Sequence, residues 1–244
     1  MVVIAHLSDI HIDAEDRSAG RTARVVAYLN GLPTPPAAVL ITGDIADHGT
    51  EDEYERVRAL VKLPVPVLWA PGNHDDRGPY RKVLDDDDGD GPINRAHEID
   101  GVLILMADSS IPGRNDGLLD DETLAWLDAR LTERPDLPAL IAFHHPPVVL
   151  GIPFVDNIRQ FEEERLAALV DRHPQVVALL CGHAHTPAAT MFAGRPLLAA
   201  PGVVSTTTMP FEGDAIVDLR LPPMIAFHLL DDDRRLTTHY RVIP

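Results

Sequence analysis

Short apolar runs punctuate the first part of the chain, at 2–8 (VVIAHLS), 37–44 (AAVLITGD), 64–72 (PVPVLWAPG), 102–108 (VLILMAD) and 139–145 (ALIAFHH). Each closes on a small or polar residue, which predicts buried strands with functional groups at their ends. The segments 17–30, 50–62, 119–133 and 157–171 predict helices. Leu124, Leu127 and Leu131 repeat at helical spacing in one, and Phe161, Leu166 and Leu169 do so in another. Strand and helix in alternation imply parallel pairing in a layered α/β sheet. Beyond residue 175 the pattern changes to short β segments at 176–181, 188–192, 196–200, 214–219, 224–230 and 235–242, predicting a second sheet packed on the first. No long Ser/Gly linker or internal repeat divides the chain, so one domain over residues 1–244 is expected.

Composition narrows the possibilities. The 244 residues are 45% hydrophobic, enough for a sizeable core, and the net charge of −17 argues against a nucleic-acid polymer or an anionic membrane as partner. The single cysteine, Cys181, excludes an internal disulfide and fits a reducing compartment. No signal-peptide pattern precedes the strand in MVVIAHLSD and no apolar run reaches the length of a membrane span, so a cytoplasmic location is expected. The acidic run 85–91 (DDDDGDG) begins like a calcium loop, but the position eleven residues beyond Asp86 is His97 and not Glu, so a solvated loop is expected. LDDDRRL at 230–236 reads as a hairpin turn.

The chemistry gathers at the ends of the apolar runs. They supply Asp9 and His11 (LSDIH), Asp44 (ITGDI), Asn73, His74 and Asp75 (PGNHD), His144 and His145 (FHHPP), and, after 176–181, His183 and His185 (CGHAH). In a parallel sheet the carboxyl ends of the strands share one edge, so these residues converge. Each has an ordinary reading alone, as a cap, a turn residue or a core histidine. Together they offer oxygen and imidazole donors with no thiolate, and metal binding accounts for the whole set. Mixed His, Asp and Asn donors suit Mn, Fe or Zn better than Ca or Mg.

The order D-x-H, G-D, G-N-H-D, H-H-P, G-H-x-H resembles the calcineurin-like metallophosphoesterase superfamily and, within it, the class III cyclic nucleotide phosphodiesterases; the motifs run from residue 4 to about 186. The resemblance implies a four-layer α/β/β/α sandwich of two packed mixed sheets with two metal ions. It assigns Asp9, His11 and His185 to the first ion and Asn73, His144 and His183 to the second, with Asp44 bridging. It makes His144, directly after the apolar strand, the ligand, and leaves His145 to support a neighbour. His74 resembles the family's phosphate-contacting histidine.

Two divalent ions roughly 3.5–4 Å apart hold a bridging hydroxide and clamp a phosphoryl group for in-line attack. The expected function is hydrolysis of 3′,5′-cyclic nucleotides or other small phosphodiesters. A broad phosphomonoesterase and a metal-stabilised binding protein without turnover are the alternatives. A homodimer is a further expectation from the class III resemblance. Substrate walls are expected in 108–117 and 148–158.

Overall fold

A computed structural model describes residues 1–85 and 88–244. In chain order the elements are β1 (Val2–Leu7), α1 (Asp16–Asn30), β2 (Ala38–Thr42), α2 (Glu51–Leu60), β3 (Val67–Ala70), α3 (Arg77–Tyr80), a π-helical turn (Arg81–Asp85), β4 (Arg95–Ile99) and β5 (Val102–Met106). There follow α4 (Asp121–Glu133), β6 (Ala139–Ala142), α5 (Pro153–Asn157), α6 (Glu163–Arg172), β7 (Val176–Cys181), β8 (Ala188–Phe192), β9 (Arg195–Ala199), β10 (Thr206–Thr207), β11 (Val217–Asp218), β12 (Met224–Leu230) and β13 (Leu236–Val242).

The first sheet has the order β13-β12-β1-β2-β3 and the second β4-β5-β6-β7-β9-β8. Strands β1, β2 and β3 are parallel, with β12 antiparallel to β1. Strands β5, β6, β7 and β9 are parallel, with antiparallel β4 and β8 at the edges. Side chains alternate between the two faces of each strand, and three apolar layers result. Ala5, Leu7, Val39 and Ile41 pack with Val25 and Leu29 of α1 and Tyr54 and Val57 of α2. Ile4, Leu40 and Leu68 meet Ile104, Leu140 and Leu180 between the sheets. Leu105, Ile141 and Leu179 pack with Leu127 and Leu131 of α4 and Leu166 and Leu169 of α6. This is the expected α/β/β/α sandwich, and the double-faced burial of β2, β5 and β6 explains their unbroken apolar runs.

The division between the sheets differs from the expectation. The tail does not form a sheet of its own: β7, β9 and β8 extend the sheet begun by β5 and β6, while β12 and β13 join β1 in the other. The predicted helix 157–171 is also two helices, α5 and α6, separated at 158–162. There the chain pairs instead with Gly117, which donates to the Arg159 carbonyl at 3.1 Å and accepts from Phe161 N at 2.9 Å. Phe161 is consequently exposed rather than part of a helix's apolar stripe. The segment 214–219 pairs only at Val217–Asp218, and β4 is a strand that no apolar run announced. The 230–236 turn is as expected, with Asp231 N donating to Arg235 O at 3.1 Å. In the acidic run 85–91, Asp86 and Asp87 lie outside the described residues. Among the described residues no helix is long and apolar enough to cross a membrane.

Candidate metal centre

The carboxyl ends of both sheets face one cleft. Strands β1, β2 and β3 deliver Asp9, His11, Asp44, Asn73 and His74; β6 and β7 deliver His144, His183 and His185. Asp9, His11, Asp44 and His185 present donor atoms within 4.8 Å of one another, and His144, His145 and His183 form a second such group. The backbone turns abruptly to achieve this. Asp9, His11, Asp44, His183 and His185 all have left-handed φ, between 41° and 64°, a conformation that costs a non-glycine residue about 1–3 kcal/mol and is tolerated where its surroundings fix it. Gly43, at φ 89°, is needed as well, because a Cβ there would run into the His144 imidazole.

Asp44 joins the two groups. Its Oδ1 accepts from His74 N at 3.0 Å, leaving Oδ2 at 3.4 Å from His11 Nε2 and 3.3 Å from His144 Nε2. On the first side His185 Nε2 lies 3.3 Å from Asp9 Oδ1 and 3.3 Å from His11 Nε2. On the second, His144 Nε2 lies 3.1 Å from His183 Nδ1. The far nitrogens are anchored: His11 Nδ1 on Asp47 Oδ1 at 2.8 Å, His185 Nδ1 on Ser205 Oγ at 2.8 Å and His144 Nδ1 on the Thr42 carbonyl at 2.7 Å. With Nδ1–H donated outward, neutral His11 and His144 turn nitrogen lone pairs toward the carboxylate oxygens, a repulsive arrangement unless a proton or a cation lies among them. Asp9 Oδ1, Asn73 Oδ1 and His183 Nε2 are buried without a hydrogen-bond partner. The donors therefore fit divalent cations on both sides of Asp44.

Electrostatics shows the same mutual dependence. Burial opposes ionisation of Asp9, yet His185 overrules it and holds the carboxyl at about 2. Burial opposes charge on Asp44 as well, and His144 and His11 hold it well below the usual carboxylate range. Burial also disfavours the His144 cation, but the Asp44 carboxylate lifts that imidazole to about 9, whereas burial and the neighbouring His144 push His183 down to about 3.

His74 lies in the cleft with its side chain 41% exposed. Its Nδ1 is bonded to the Asp47 carbonyl at 2.8 Å, which leaves Nε2 for a ligand. Asp75 faces inward, accepting from Gly72 N, Ile45 N, Ala46 N and Tyr54 Oη at 2.8–3.1 Å. It ties the loop after β3 to the loop after β2. His145 Nδ1 pairs with Ser109 Oγ at 2.9 Å, and its ring packs so closely on Gly117 that a Cβ there would overlap it. Its Nε2 is buried and unpartnered. Sequence reasoning missed Asp47 and Ser205, the two side chains that orient His11 and His185. Asp47 stands three residues after Asp44 in the same motif, whereas nothing in VVSTTT singles out Ser205.

Two facing sheets with shared ligand groups at their carboxyl ends have the layout of a metallophosphoesterase. The chain belongs to the calcineurin-like phosphoesterase family, whose sequence profile matches residues 2–187. It is 37% identical over 217 residues to the glycerophosphodiester phosphodiesterase GpdQ of Enterobacter lignolyticus, covering 83% of this chain and 78% of that one. It is 31% identical over 245 residues to the 3′,5′-cyclic adenosine monophosphate phosphodiesterase CpdA of Pseudomonas aeruginosa, covering 97% and 88%. In fold it is similar to a dimetal phosphatase from Danio rerio, with TM-score 0.73 at 15% identity over 100% of this chain and 96% of that one. Family membership and donor set make the protein a metal-dependent phosphodiester hydrolase.

Proposed function

We propose that the protein hydrolyses small phosphodiesters, 3′,5′-cyclic nucleotides among them, with two divalent ions of the Mn, Fe or Zn type. Asp9, His11 and His185 hold one ion, Asn73, His144 and His183 the other, and Asp44 both. The observation that carries this reading is the single Asp44 oxygen lying 3.3–3.4 Å from a histidine nitrogen of each group. When bound, such a pair of ions supplies Lewis acidity to the phosphoryl oxygens and lowers the pKa of water. The protein's own groups do the rest. Asp47 and the Thr42 carbonyl fix the ligand tautomers. His74, steered by the Asp47 carbonyl, aims Nε2 at the phosphoryl group, where it donates a hydrogen bond when protonated. Asn73 is a neutral donor, so the second ion is the more weakly held.

The test is removal of metal with a chelator and reconstitution with Mn(II), assaying bis-p-nitrophenyl phosphate, a cyclic nucleotide, a glycerophosphodiester and a phosphomonoester. Activity on diesters that vanishes and returns with metal is expected. Full turnover after demetallation, or turnover of the monoester alone, overturns the reading.

A further inference from the structure

Two apolar side chains stand at the mouth of the metal centre with no partner to bury them. Phe154, in α5, is 55% exposed, and Ile216, just before β11, is 53% exposed. Both line a cavity of about 120 Å³ whose floor is His11, Asp44, His183 and His185. Both also line an adjoining cavity of about 190 Å³ that continues outward past Pro210 and Ala215. The two form a trough from the candidate ligands to the surface. On the far side of Asn73 and His74 the cleft gains charged groups, and its cavity of about 260 Å³ is walled by His48, Asp76, Arg77 and Ser110 together with Ile111 and Pro112. The cleft thus has an apolar arm and a polar arm that meet at Asn73 and His74.

The backbone holds the walls of the apolar arm in place. Leu150 N donates to Asp156 Oδ1 at 2.7 Å and Asp156 N to Ile152 O at 2.8 Å, fixing α5. At the other lining residue, Thr208 N donates to Ile216 O at 2.9 Å. Walls set in advance lose little entropy when a ligand enters. Among the described residues no lysine or arginine lines this arm, so they offer no counter-charge to a second phosphate or a carboxylate. Beyond the centre itself, Asn115, Thr207, Thr208 and Asp214 are its polar groups. A polyol placed there would exchange water for few hydrogen bonds, a loss for every hydroxyl left unpaired. A flat ring would instead cover apolar surface on both walls, a gain of about 25 cal/mol per Å².

We propose that Phe154 and Ile216 form a clamp for a flat, apolar-faced ester group of the substrate. The protein then favours phosphodiesters carrying an aryl or heteroaromatic group over those carrying only short polyols. This rests on the phosphodiesterase reading above and specifies which esters it serves.

The experiment compares kcat/KM of the Mn(II)-loaded protein for bis-p-nitrophenyl phosphate, a 3′,5′-cyclic nucleotide and a glycerophosphodiester, in wild type, Phe154→Ala, Ile216→Ala and Phe154→Tyr. In each alanine variant the ratio of flat to polyol substrate is expected to fall about tenfold or more, through KM, and Phe154→Tyr is expected to restore it. A fall confined to the aryl diester or to the nucleotide supports the clamp and identifies the ring it takes. Ratios unchanged within twofold in both folded alanine variants overturn it. If wild type hydrolyses no diester, the phosphodiesterase reading fails and the clamp is judged by binding. A Phe154→Trp variant, read against the constant signals of Trp69 and Trp126, is titrated with AMP and with glycerol 3-phosphate. Tighter binding of AMP supports the clamp, and equal affinity overturns it.

Discussion

His11 Nδ1 lies 2.8 Å from Asp47 Oδ1, so a carboxylate outside the ligand set fixes which nitrogen of His11 faces the centre. The Asp47 backbone carbonyl holds His74 at the same time, at 2.8 Å. Asp47→Ala removes the first restraint and keeps the second. Metal affinity and turnover are expected to fall about 10–100-fold, the usual cost of losing such a group. Metal content and Mn(II)-dependent activity of the purified variant check this, and wild-type affinity would contradict it.

His144 and His145 are adjacent and both fully buried, but only His144 has an imidazole nitrogen beside Asp44, at 3.3 Å. His144→Ala is expected to empty the second position and lower activity by more than about 100-fold, beyond the range for an outer group. His145→Ala is expected to keep more of that ion and lose less activity, because His145 holds Ser109 and packs on Gly117. Metal counting on both variants at matched Mn(II) decides it. The reverse ranking would make His145 the ligand.

Asp75 accepts four hydrogen bonds in a buried position. Asp75→Ala strands three backbone N–H groups and the Tyr54 hydroxyl at once. A loss of about 3–5 kcal/mol is expected, since each unsatisfied buried donor costs about 1–3 kcal/mol and the loops relax in part. This corresponds to a Tm roughly 10 °C lower at this chain length. Thermal unfolding of variant and wild type in the presence of metal measures it, and a Tm within 2 °C, on the order of 1 kcal/mol, would refute this role for Asp75.

A buried chain of side chains crosses the first sheet: Thr238 Oγ1 to His228 Nδ1 at 2.8 Å, His228 Nε2 to His6 Nδ1 at 3.0 Å, and His6 Nε2 to Thr42 Oγ1 at 2.8 Å. Burial lowers the His228 pKa to about 3, and burial, with His228 beside it disfavouring a second cation, holds His6 well below 6.5. Both rings are neutral when folded and gain protons on unfolding below 6.5. The stability they contribute is therefore complete above pH 6.5 and is lost as pH falls toward the folded values. The expected loss at pH 5 is about 2 kcal/mol for His228, and His6 adds to it in the same direction. Urea unfolding between pH 7 and 5 should show this decline, and a His6→Leu/His228→Leu double variant should flatten it. An equal slope in both proteins would refute it.

Much of the fold was legible because strands buried on both faces leave continuous apolar runs, and because the sharp ends of those strands carry the unusual residues. Helix α4 was marked by the helical spacing of Leu124, Leu127 and Leu131, of which Leu127 and Leu131 are buried. What misled was adjacency. Pairing of β12 with β1 joins residues more than 200 positions apart, Val2 with Leu230, and no local pattern encodes that partnership. The break at 158–162 was hidden because its backbone is satisfied by Gly117, far away in sequence. The candidate ligands declared themselves through motif order, whereas Ser205 was silent. A serine orienting an imidazole looks like any other serine until the loop carrying it is placed beside His185.

The position of β1 between β12 and β2 makes the centre depend on residues that carry none of its ligands. All seven candidate ligands precede residue 187, yet the strand that flanks β1 and the serine that orients His185 both follow it. The donors themselves therefore do not complete the centre: the strand that pairs with β1 and the hydroxyl that turns His185 are drawn from residues beyond the last ligand.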